Sequence, residues 1–147
     1  MSGFEFRETM AGSYHRVDEP HKERPLAFTI RARSAPILRF LRRPVVEIEG
    51  AIDAPGLADH RYLRGTLGMD LLRTGTLPYA FHFHGDDDKP YVFEGQKDVS
   101  VRELLESMTV LPGAIKDEEG ALVARALLRF DARSDLVKFL RSFRLSR

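Results

Sequence analysis

The residues with the clearest capacity for chemistry are His82 and His84, separated by Phe83. Alternation along an extended chain puts both imidazoles on one face, roughly 7 Å apart, a spacing that can chelate zinc or iron. A third ligand would come from His60, Asp86 or Glu94, and no spacing singles one out. The same alternation supports a plainer reading, in which Tyr79, Phe81 and Phe83 form the inward face and His82 and His84 the solvated one. A lone His-x-His pair is a weak metal signature, so the plainer reading is preferred.

The other acidic groups read structurally. Asp86-Asp87-Asp88 lacks the spaced ligands of a calcium loop and has the composition of a hairpin turn. Glu47 and Glu49 resemble an acid–base pair but alternate with Val46 and Ile48, which makes them an outward face. Asp59-His60 has no partner nucleophile. The chain contains no cysteine, which removes thiolate catalysis, disulfides and Cys-based zinc sites. It also lacks a nucleophile elbow, a Walker A loop and a dinucleotide fingerprint, so no cofactor is expected.

The elements that would carry these residues are mostly strands. Phe4 to Arg16 reads as a first strand region, and Val17 to Arg24 as a polar loop. Leu26, Phe28, Ile30 and Ala32 alternate with Ala27, Thr29 and Arg31, as in a half-buried strand. Ser34 is placed to cap a short helix from Ala35 to Arg42, ended by Pro44. Val46 to Glu49 gives the next strand, and Gly50 to His60 the composition of a loop. Arg61 to Leu72 reads as a strand in which Gly65 and Gly68 mark a bulge or a close backbone approach. Pro78 to Val99 forms a hairpin turning at Gly85–Pro90, and Val110–Lys116 with Leu122–Asp131 another, turning at Asp117–Gly120. Helices are expected from Ser100 to about Met108 and from Asp135 to about Phe143. The expected fold is mostly β: an antiparallel barrel of about eight strands with two or three short helices, or alternatively a curved two-layer sandwich.

Two segments repeat one another. Ala32-Arg33-Ser34 precedes Ile37-Leu38-Arg39-Phe40-Leu41-Arg42, and Ala132-Arg133-Ser134 precedes Leu136-Val137-Lys138-Phe139-Leu140-Arg141. Upstream, Glu8-Thr9-Met10 matches Glu106-Ser107-Met108. Such a pseudo-repeat suits a barrel with two helical plugs. The last helix carries Leu136, Phe139, Leu140 and Phe143 on one face beside Lys138, Arg141 and Arg144, which suits a cap on the barrel or contact with an anionic membrane.

Bulk properties agree with one domain spanning residues 1–147. Hydrophobic residues make up 43% of the chain and charged residues 31%, a globular composition. The 23 basic and 22 acidic residues nearly cancel, which argues against a nucleic-acid partner. Neither a signal-peptide core nor a run of about 18 apolar residues occurs, so a cytoplasmic protein without a transmembrane helix is expected. The oligomeric state is not encoded.

Larger blocks bear a resemblance. Tyr79-Ala-Phe-His-Phe83, the Gly85-Asp-Asp-Asp88 turn and Phe93-Glu-Gly-Gln-Lys97-Asp-Val99 form one block. Ser107-Met-Thr-Val-Leu111, Leu128-Arg-Phe130 and Phe139-Leu-Arg-Ser-Phe-Arg144 form another, opened by Phe6-Arg-Glu-Thr-Met-Ala-Gly12. Together they resemble the accessory β domain of cholesterol-oxidase-like members of the glucose–methanol–choline flavoprotein oxidoreductases. The flavin fingerprint and catalytic histidine region of the full enzymes are missing, and Asp88 stands where such turns often carry glycine. The resemblance implies a non-catalytic binding or accessory module, holding a lipid or sterol-like ligand or docking to a separate flavoprotein oxidoreductase. Candidate ligand contacts are Tyr79, Phe81, Phe83, Tyr91, Phe93 and Lys97; Lys97 could meet an acidic head group, although an exposed strand-end lysine is the simpler expectation. A metal-dependent enzyme built on His82 and His84 and a purely structural interaction domain are the alternatives.

Overall fold

The computed structural model describes residues 3–98, 110–130 and 144–146. Eight strands form a closed antiparallel barrel: β1 (Gly3–Arg16), β2 (Arg24–Ser34), β3 (Val45–Ala54), β4 (Ala58–Gly68), β5 (Thr76–His84), β6 (Pro90–Asp98), β7 (Val110–Asp117) and β8 (Leu122–Arg129). Each strand pairs with its sequence neighbour, and β1 pairs with both β2 and β8, which closes the cylinder. A short β9 (Arg144–Ser146) extends the sheet along the first residues of β1. The sandwich alternative is thereby set aside.

Strict alternation builds the interior. Phe6, Met10 and Tyr14 of β1, Phe28 and Ile30 of β2, Phe81 and Phe83 of β5 and Phe93 of β6 all point inward and are buried. Closure removes the open edges that an antiparallel sheet would otherwise expose. The connections divide by end. At one end lie the turns between β1 and β2, β3 and β4, β5 and β6, and β7 and β8; we call this the turn end. At the other lie α1 (Ile37–Arg42), between β2 and β3, and the single-turn α2 (Leu71–Thr74), between β4 and β5; we call this the helical end.

Several local expectations are corrected. Gly50 to His60 is not a loop: β3 runs on to Ala54 and β4 begins at Ala58, leaving only residues 55–57 as a turn. The reason is that Ile52 and Ala54 continue the inward phase of Val46 and Ile48. The strand read over Arg61 to Leu72 ends at Gly68, and Leu71 is helical. Ser34 does not cap α1, whose preceding residue is Pro36 with no side-chain cap. Its hydroxyl instead accepts from the Phe4 amide at 2.8 Å and donates to the Ala35 carbonyl, tying β1 to the end of β2. The two helices expected at 100–108 and 135–143, and the second half of the pseudo-repeat from Ala132, lie outside the described residues.

The close approach expected at Gly65 is present. A Cβ there would overlap the Ala80 carbonyl of the neighbouring strand, so β4 and β5 pack there only because the side chain is missing. Gly113 serves differently. The Phe93 ring occupies the space beside Gly113 and Gly95, which face each other across β7 and β6. Two absent side chains make the space that one aromatic ring fills.

Candidate functional site

The middle of the barrel is filled by aromatic rings. Phe81 and Phe93 stack with centroids 4.8 Å apart, and Phe28 meets them edge-on at 5.3 and 5.8 Å. Towards the turn end, Phe83 stacks on Tyr91 at 5.7 Å. There the Tyr91 hydroxyl donates to Asp87 at 2.7 Å, and the Tyr14 hydroxyl donates to the Pro55 carbonyl at 2.5 Å. Leu57 is buried in the same region. Burial, then the Asp87 acceptor and its charge, pushes the Tyr91 phenol up to about 12. The phenol's hydrogen bond in turn holds Asp87 below the usual carboxylate range, helped by the Lys89 amide.

Towards the helical end the interior becomes polar. Among the described residues, Glu8 and Lys97 are the buried charged side chains, 7% and 2% exposed. Lys97 Nζ donates to Glu8 Oε2 at 3.1 Å, and the Tyr79 hydroxyl donates to Glu8 Oε1 at 2.6 Å. Both carboxylate oxygens are therefore engaged, one by an ammonium and one by a phenol. The Tyr79 phenol is held well above its ordinary value, first by burial and then by the Glu8 charge. The ammonium also sits 5.2 Å from the Tyr79 ring centroid and 5.7 Å from that of Phe130, a cation–π arrangement in a desolvated setting. No buried side-chain nitrogen or oxygen among the described residues lacks a partner.

Three strands assemble this cluster. Leu77 of β5 faces Lys97 of β6 across the ladder, and Tyr79 lies one inward step further along β5. Glu8 reaches them from β1, 89 residues from Lys97 and on the far side of the sheet order. The expectation that Lys97 is an exposed strand-end lysine is thus overturned. Its inward phase follows Tyr91, Phe93 and Gly95, and the Glu8 carboxylate is what makes burial of the ammonium tolerable. Sequence reading placed Glu8 in a repeat but did not mark it as an interior charge. The available signal was its position between Phe6 and Met10, in the apolar phase of an alternating strand.

The six candidate contacts converge on the interior, though not at one place. Tyr79 and Lys97 belong to the polar cluster, Phe81 and Phe93 to the central stack, and Phe83 and Tyr91 to the turn-end plug. His82 and His84 point outward and are exposed, opposite Val92 and Pro90 of β6. Among the described residues no group of three His, Asp or Glu side chains is arranged to hold a metal ion. His60 pairs instead with Asp53 at 3.3 Å, and Glu94 with Lys116 at 3.1 Å. Asp86 accepts from the Asp59 amide and from Arg61, so it fastens the β5–β6 turn to β4. Glu49 accepts from Tyr62 on the outer face.

Among the described residues no helix is long and apolar enough to cross a membrane. No family model, curated protein or solved structure matches the chain.

Proposed function

We propose that this chain is a non-catalytic binding module, and that the helical half of the barrel interior takes an apolar molecule bearing a carboxylate or hydroxyl head. One observation carries the reading. The Lys97 ammonium has three donors and, among the described residues, a single acceptor, Glu8. No described residue accepts from its other two donors, and in an aromatic interior an acceptor oxygen gains most from a charge-assisted hydrogen bond. The stacked Phe28, Phe81 and Phe93 rings fill the middle of the barrel below the cluster, and Tyr79 and Phe130 flank the ammonium. A lipid or sterol-like ligand fits this polarity, with its head at Lys97 and its body towards the helical end. The resemblance to the accessory domain of cholesterol-oxidase-like flavoproteins supports the same class. It also makes a separately encoded flavoprotein oxidoreductase the partner to seek by pull-down.

Native mass spectrometry of the purified protein, with titration of a fluorescent fatty acid and a fluorescent sterol, tests the reading. The expected result is one ligand per chain, with affinity reduced at least tenfold in Lys97→Met. A protein that carries no ligand and binds neither probe would refute it.

A further inference from the structure

Among the described residues, the surface of the helical end combines exposed apolar side chains with arginines that reach no carboxylate. In α1, Leu38 and Leu41 are 60% and 68% exposed, while Phe40 of the same helix turns inward and meets Phe4 edge-on at 5.0 Å. Arg39 and Arg42 occupy the last turn, Arg43 follows, and the first turn carries no acidic residue. Some arginines of the outer wall are matched: Arg31 and Arg33 both reach Glu5, and Arg61 reaches Asp86. Arg39, Arg42 and Arg43 have no carboxylate within ion-pair distance among the described residues. At the same rim, opposite Phe4 in the ladder, Leu145 is exposed and Arg144 precedes it.

We infer that the helical end docks on an anionic lipid surface, with Leu38 and Leu41 entering the headgroup layer and Arg39, Arg42 and Arg43 meeting phosphates. Two features select a lipid surface as occupant. Leucines between arginines on a short helix match the layered chemistry of a bilayer, apolar beneath anionic. Phe40 also anchors the helix to the core, so the exposed Leu38 and Leu41 are presented without loosening it. This inference rests on surface residues and is independent of what the interior holds.

Co-sedimentation of the full chain with vesicles of phosphatidylcholine alone, and with phosphatidylglycerol added, provides the test. Binding should require phosphatidylglycerol and should fall as salt is raised. The Leu38→Ser/Leu41→Ser variant should partition at least about tenfold more weakly, from the apolar area withdrawn. Each of Arg42→Gln and Arg43→Gln should cost about fivefold. Circular dichroism of each variant establishes that the barrel is intact, which exposure of all four side chains favours. Absence of vesicle binding would overturn the inference, as would binding that the leucine variant leaves unchanged. Capture of a protein partner by the same face, without vesicle binding, would overturn it as well.

Discussion

Lys97 and Glu8 form an ion pair across the barrel interior, Nζ to Oε2 at 3.1 Å, between strands that are not neighbours in the sheet. Removing one partner strands a charge in an apolar interior, whereas removing the whole cluster does not. Lys97→Met is therefore expected to cost about 3–5 kcal/mol. Tyr79→Phe should cost about 1.5–3 kcal/mol, since it deletes a hydrogen bond to a charged acceptor. The triple variant Glu8→Leu/Tyr79→Phe/Lys97→Met should recover most of the loss. Urea unfolding followed by far-UV circular dichroism measures all three; a triple variant weaker than Lys97→Met alone would contradict this account.

All four tyrosines of the chain are held above the ordinary phenol value, burial being the first cause at each. A phenol raised in the folded state stabilises the fold fully below the unfolded value of 10.0 and loses that contribution as pH climbs through the folded value. For Tyr91 the window runs from 10.0 to about 12. Tyrosinate absorbance should therefore stay low up to about pH 10 and then rise together with loss of β structure. Asp87 acts in the opposite sense: its lowered value stabilises above 3.8 and is lost as acid protonates it. Tyr91→Phe should shift both limits, read as the midpoints of acid and alkaline unfolding.

The aromatic stack and the glycines beneath it should both lose stability on substitution, for opposite reasons. Phe81→Ala empties the centre of the barrel and is expected to cost about 3–5 kcal/mol. Gly113→Ala places a methyl group against the Phe93 ring and should cost about 1–3 kcal/mol by overpacking. Combining Gly113→Ala with Phe93→Leu should cost less than the sum of the two single changes, since the smaller side chain yields space. A double-mutant cycle by thermal unfolding reads the coupling.

His82 and His84 sit on the outer wall, and no third ligand stands with them among the described residues. The double variant His82→Ala/His84→Ala should change stability by less than about 0.5 kcal/mol. Stoichiometric zinc or iron in the purified protein, lost in that variant, would restore the metal reading.

Much of this architecture was legible in the chain. The β5–β6 hairpin announces itself through Tyr79, Phe81 and Phe83 on one side of an Asp-rich turn and Tyr91 and Phe93 on the other. Asp88 adopts a left-handed φ of 62° in that turn, within the tolerance of aspartate. What escaped were features with distant causes. Gly50 looks like a loop residue because it lacks a side chain, yet in β3 that absence lets the strand approach Thr29 of β2. Lys97 looks exposed because lysine usually is, and the carboxylate that makes its burial affordable is far away in sequence. Local pattern states the phase of a residue; only closure of the cylinder shows which charged residue meets which.

That closure has a bearing on how the protein is made. β1 hydrogen-bonds to β8, with Ala11 opposite Arg129 and Arg16 opposite Ala124. During synthesis the first strand must wait, one flank unzipped, until β8 has left the ribosome more than a hundred residues later. The same delay applies to Glu8, whose ammonium partner is translated long after it. Such distant pairing is slow to form and leaves the nascent β1 prone to wrong neighbours, so the late-emerging β8 governs when this barrel becomes safe from aggregation.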